Sequence, residues 1–158
     1  MGNLFYEIGF FGPLINLVTT SFFLLNQKTY LLGYLVFYFI NTHVNKILKS
    51  VFREPRPKNS IFVNEIDNDR GSDKFGMPSG HAQSVFFSLA YLYLVKENPY
   101  AILLETFIAS LTLYQRWKFN RHTISQLFVG SLFGIFMAFI VHFIVKKYLT
   151  TKKYIGNI

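Results

Sequence analysis

The chain has 158 residues and a net charge of +8, from 16 Lys+Arg against 8 Asp+Glu, and it has no Cys. With 51% hydrophobic, 19% aromatic and only 15% charged residues, it is too apolar for a disordered chain and too poor in charge for an ordinary soluble surface. The length fits a single domain over 1–158, and the lack of Cys excludes a disulfide framework, a thiolate metal site and a Cys nucleophile.

Five apolar stretches follow in order: Ile8–Leu25, Tyr30–Ile47, His81–Val95, Tyr100–Gln115 and Ile124–Val145. A spanning helix needs about 20 mostly apolar residues. The first, second and fifth meet or approach that length. The third and fourth are shorter: fifteen helical residues rise about 22 Å, against a hydrocarbon core of about 27–30 Å. Either these helices run past the apolar stretch, or one end of the bundle dips below the membrane surface, where polar residues collect. The expected fold is an all-α polytopic membrane bundle of about five transmembrane helices.

Between the second and third stretches, residues 53–77 carry Pro55, Pro57, Gly71, Gly76 and dense charge, the composition of a long extramembrane loop. Its acidic residues Glu65, Asp67, Asp69 and Asp73 lack the pattern of a calcium loop and are expected to be solvated. Tight turns are expected at 26–28 and 96–99, and the tail from Lys146 is basic. Five spans put the N-terminus, the 53–77 loop and the 116–122 segment on one face. The positive-inside rule then puts the Lys-rich tail in the cytosol. No cleavable signal peptide is expected. The basic residues lie in short intervals between apolar runs, which suits headgroups or an anionic substrate and argues against a nucleic-acid partner.

Three polar clusters fall on one face of this bundle: Lys49 to Pro57, Gly76 to Gln83, and Arg116 to Gln126. Lys49, Arg56 and Arg116 supply a point charge and two planar donor forks for phosphate oxygens. Ser79-Gly80 opens a helix, whose N-terminal N–H groups favour an anion. His81 sits in that first turn. His122 opens the fifth helix, with Gln126 four residues on and on the same side. The Gln126 carbonyl is placed to accept from His122 Nδ1–H, which leaves the Nε2 lone pair for a phosphorus. Cations, a helix N-terminus and two histidines suit phosphoryl transfer: one His attacks, the other protonates the leaving oxygen.

These clusters resemble the three motifs of the type 2 phosphatidic acid phosphatase superfamily of membrane lipid phosphatases. Lys49, six residues, Arg56-Pro57 matches the first. Pro78-Ser79-Gly80-His81 matches the second. Arg116, five residues, His122, three residues, Gln126 matches the spacing of the third. Two positions depart: Gln115 stands where the family usually has Ser, and Gln126 where it has Asp. The strings GMPSGHAQ, EPRP and HTISQ are similar to the dolichyldiphosphatase branch. The resemblance covers about Pro13 to Val145. It implies His122 as a nucleophile forming a phosphohistidine, His81 as general acid, and Gln126 orienting His122. It also implies Lys49, Arg56, Ser79, Gly80 and Arg116 as phosphate ligands, with no metal or cofactor. The implied reaction is hydrolysis of a polyprenyl diphosphate to the monophosphate, and the implied setting is the endoplasmic reticulum with a lumenal site. A lipid monoester phosphatase and an inactive lipid-binding scaffold are the alternatives.

Outside the motifs, Asn41, Asn45 and Lys49 recur every fourth residue, an interior polar stripe leading towards the site. Gly130 and Gly134 are spaced for close helix packing. Glu105 lies in an apolar run and is expected to snorkel towards Lys96. His43 and His142 match no motif and read as structural. Arg53 and Arg121 are candidate supporting cations.

Overall fold

The computed structural model describes residues 4–63, 66–67 and 74–155. Among the described residues five helices occur in order: α1 (Leu4–Phe23), α2 (Lys28–Phe52), α3 (Gly80–Val95), α4 (Pro99–Lys118) and α5 (Ile124–Ile155). The architecture is all-α, as expected. The main departure from the sequence reading is α5, which runs ten residues past Val145, so the basic tail is helical. Lys146, Lys147, Lys152 and Lys153 are good helix formers, and no Gly or Pro breaks the run. Among the described residues, α5 is the one helix long and apolar enough by itself to cross a membrane.

Local chemistry sets the other ends. Arg53 takes the left-handed conformation (φ 50°) and returns its N–H to Lys49 O, after which Pro55 cannot continue α2. Ser79 caps α3 by accepting from Ala82 N. Asn98 caps α4 by accepting from Tyr100 N and Ala101 N, with Pro99 in the first turn.

α3 touches all four other helices, and its tightest partner is α5. Glycine makes this closeness possible. A Cβ on Gly134 would lie 2.3 Å from Gln83 O, and one on Gly130 would lie 2.5 Å from Ser79 O. The core is aromatic: Tyr34 stacks on Phe87 (centroids 5.7 Å apart) and on Tyr91 (5.5 Å). Each buried phenol finds a partner, Tyr34 with Ser88 Oγ at 2.7 Å and Tyr91 with Tyr30 O at 2.9 Å. The outside is apolar as well, with Phe22, Phe39, Phe107, Phe136 and Phe143 all exposed.

Glu105 does not snorkel. It is fully buried and accepts from Thr19 Oγ1 and Thr20 Oγ1, two hydroxyls that α1 brings to it. Lys96 Nζ instead donates to Phe23 O at 2.8 Å.

Candidate active site

The C-terminal end of α2, the first turn of α3 and the α4–α5 turn converge on a cavity of about 930 Å³. Lys49, Arg56, Gly80, His81, Arg116 and His122 all line it. Residues from three separate sequence clusters therefore face one space. Below the polar end, the cavity continues between Pro13, Leu14 and Leu17 of α1 and Tyr38 and Thr42 of α2.

His122 is 3% exposed. Its Nδ1 is 3.2 Å from Gln126 Oε1. Which end of the Gln126 amide faces the ring is fixed from behind: Nε2 donates to Glu54 Oε1 at 2.8 Å and to Pro55 O at 2.9 Å, both acceptors only. Oε1 must then accept, so Nδ1 carries the proton. On the other side of the ring, Arg56 Nη1 donates to Nε2 at 3.2 Å. The imidazole is therefore neutral, with its Nε2 lone pair on the cation-lined side. Burial, then the charges of Arg56 and Lys49, push its pKa well below the ordinary value of 6.5, and the bond to Gln126 opposes them.

His81 is half-buried, with Nε2 3.2 Å from Phe10 O. The Phe10 ring lies beside the His81 ring (5.8 Å) and beneath the Arg116 guanidinium (5.2 Å), so α1 braces both. Gln115, at the position that departs from Ser, is fully buried and accepts from Arg116 Nε. Behind the cavity, Gln83 ties the α2 stripe to α3. Its Nε2 donates to Asn41 Oδ1 at 2.8 Å, and its Oε1 accepts from Asn45 Nδ2 at 2.8 Å. Asn45 also reaches Pro78 O.

Two expected site residues lie behind the wall. Gln126 is fully buried, with its Oε1 on His122 Nδ1. Ser79 is also fully buried: its hydroxyl caps α3 and its N–H donates to Gln126 O at 3.0 Å, so its side chain does not reach the cavity. Arg53 is exposed and donates to Ser50 O, whereas Arg121 is buried and lines the cavity. His43 and His142 do not line it.

Asp67 overturns its expected place in a solvated loop. It is 1% exposed and pairs through both oxygens with Arg116 (3.0 and 3.3 Å) and with Arg121 Nη2 at 3.4 Å. Burying a carboxylate costs desolvation, and the attraction of two guanidiniums with their hydrogen bonds works against that cost. Glu65, Asp69 and Asp73 lie outside the described residues. No feature of the sequence separates Asp67 from those neighbours, and Glu54 carries no signal beyond its place in EPRP.

The model of the PAP2 superfamily matches residues 30–149, which take in all but the first two residues of α2, all of α3 and α4, and most of α5. The chain belongs to the PAP2 superfamily. It is similar to dolichyldiphosphatase 1 of Mus musculus, 32% identical over 127 residues, covering 70% of this chain and 51% of that protein. It is also similar to dolichyldiphosphatase 1 of Dictyostelium discoideum (28%; 66% and 49% covered) and to lipid phosphate phosphatase gamma of Arabidopsis thaliana (26%; 60% and 44%). The chain thus spans about half the length of the curated relatives it matches. No solved structure matches it.

Proposed function

We propose that this PAP2 chain is a membrane-embedded lipid phosphatase that removes the terminal phosphate of a polyprenyl diphosphate through a phosphohistidine. The observation that carries the reading is the neutral, oriented His122, with its Nε2 lone pair among Lys49, Arg56 and Arg116. A phosphoryl oxygen is an anionic acceptor and competes for Arg56 better than a neutral imidazole does. Substrate binding therefore draws the guanidinium onto phosphate and exposes the lone pair.

Nε2 then attacks the terminal phosphorus in line. The N–P bond forms as the bond to the bridging oxygen breaks, and His81 gives that oxygen its proton. Lys49, Arg56, Arg116 and the first-turn N–H groups of α3 hold the other phosphoryl oxygens. Water, deprotonated by His81, cleaves the N–P bond and regenerates His122. These cations supply the charge stabilisation, so on this reading the reaction proceeds without a metal. The apolar tail lies between α1 and α2, along Leu14, Leu17 and Tyr38, and the exposed aromatic surface faces lipid with all five helices spanning it. The 53–77 segment is the extramembrane loop of a single domain. The setting is the endoplasmic reticulum, with the site lumenal and the C-terminus cytosolic.

The names of the mouse and Dictyostelium relatives favour the diphosphate, and that of the Arabidopsis relative favours a lipid monoester as the second reading. Phosphate release by detergent-purified protein in EDTA separates the two, comparing polyprenyl diphosphate with phosphatidate and using His122→Ala as the blank. Release from the diphosphate alone is expected. Release from phosphatidate alone replaces the substrate, and no release from either overturns the enzymatic reading in favour of a scaffold.

A further inference from the structure

Gln126 is neutral, yet it is the group that faces Nδ1 of His122, where positive charge must rest once Nε2 is phosphorylated. The amide has two donors and room for two acceptances, and all four are used. Nε2 donates to Glu54 Oε1 and Pro55 O, and Oε1 accepts from His122 Nδ1 and Thr123 N (3.3 Å). A flipped amide would turn its oxygen on a carboxylate and its N–H groups on two donors.

Glu54 is itself pinned. Its carbonyl accepts from Gly76 N at 2.7 Å, and Pro55 pairs with Phe75 in an antiparallel bridge. Gly76 lies flat on the amide: a Cβ there would be 2.4 Å from Gln126 Oε1. The end of α2 and the segment before α3 thus close around one side chain.

We propose that Glu54 is a positioning residue for His122 that acts through Gln126. Its carboxylate locks the amide orientation and delivers negative charge across the amide to the imidazole. The proposal rests on the reading of His122 as nucleophile. A carboxylate bonded to Nε2–H polarises the amide, so Oε1 becomes a stronger acceptor towards the cationic ring. The role matters more in the phosphorylated ring than in the neutral one, so it belongs to kcat rather than to substrate affinity.

The test is kcat, KM and the pH profile with polyprenyl diphosphate for Glu54→Gln, Glu54→Ala, Gln126→Asp and the Gln126→Asp/Glu54→Gln double variant. Glu54→Gln keeps a hydrogen bond and removes only the charge. It is expected to lower kcat about tenfold with KM within about twofold, and Glu54→Ala to lower it towards a hundredfold, the range for losing an outer-shell partner. The charges facing His122 are the cations of Arg56, Lys49 and Arg116, with Asp67 beyond Arg116. Removing the Glu54 charge disfavours the imidazolium, so the acid limb moves to lower pH. Gln126→Asp places a carboxylate at the ring directly, so Glu54→Gln in that background is expected to change kcat less than about twofold. An unchanged kcat and acid limb in Glu54→Gln, or an equal loss in both backgrounds, overturns the proposal.

Nitrogen-15 NMR of the His122 ring supplies a readout that needs no turnover. Wild type is expected to hold the proton on Nδ1, and Glu54→Ala to show both tautomers. If wild type releases no phosphate, the phosphatase reading fails while this spectrum still decides the positioning role, and an unchanged tautomer in Glu54→Ala counts against it.

Discussion

Arg56 Nη1 lies 3.2 Å from His122 Nε2, and since a guanidinium has no acceptor, the imidazole must supply the lone pair. The same cation that fits a phosphoryl oxygen therefore also keeps the ring neutral. On the proposed reading, binding and activation are two effects of one side chain, and they separate with pH.

The acid limb of kcat/KM is expected below the ordinary histidine value of 6.5, because burial and the Arg56 and Lys49 charges hold the His122 pKa down. Arg56→Gln removes one of those charges, so the limb moves to higher pH while kcat/KM falls by about a hundredfold. A pH–rate profile on polyprenyl diphosphate measures both. A wild-type limb at or above 6.5 contradicts the neutral-ring geometry.

Asp67→Asn leaves Arg116 and Arg121 buried with their shared carboxylate gone. Breaking such a pair costs about 3–5 kcal/mol, so the melting temperature in detergent should fall by several degrees. An added anion takes the place of the lost charge, so inorganic phosphate or vanadate should raise the melting temperature of the variant more than that of wild type. Equal shifts would show that Asp67 and the anion occupy different places.

Gly134→Val sets a branched side chain against α3 backbone, 2.3 Å from Gln83 O and 2.9 Å from Phe87 N at Cβ alone. Backbone cannot rotate away as a side-chain tip can, so the cost should reach or exceed about 1–3 kcal/mol. Phe136→Leu, on the exposed side of the same helix, should be nearly silent. Thermal unfolding of the two variants side by side checks the contrast.

Gln83→Leu removes the amide that bonds both Asn41 and Asn45. Each buried group left unsatisfied costs about 1–3 kcal/mol. Lys49 stands one turn beyond Asn45 on the same stripe, so KM should rise more than kcat falls. A loss of stability with unchanged KM would separate the network from the site.

The helices were legible because their signals are local and additive: an apolar run, bounded by Pro55 or by the turn at 96–99. The His122–Gln126 contact was legible because four residues along a helix is a fixed distance. Asp67 was not, because its partners are 49 and 54 residues away and nothing nearby distinguishes it from Asp69 or Asp73. Glu105 was misjudged for a similar reason. Its apolar neighbours belong to α4, whereas Thr19 and Thr20, the groups that receive it, belong to α1. Ser79 read as a phosphate ligand because a helix N-terminus offers N–H groups, but its own N–H is already committed to Gln126 O. The length of α5 was underread because apolarity ends at Val145 while helix propensity does not.

α3 has 16 residues and α5 has 32, and Gly130 packs on Ser79 while Gly134 packs on Gln83, so the end of α3 at Val95 lies roughly level with Val145. At 1.5 Å per residue, the ten residues of α5 past Val145 rise about 15 Å at the end away from the cavity. α5 therefore projects there, with Leu149 still on the core and Lys152 and Lys153 near its tip, where a fluorescent protein or an affinity handle can be fused far from the cavity.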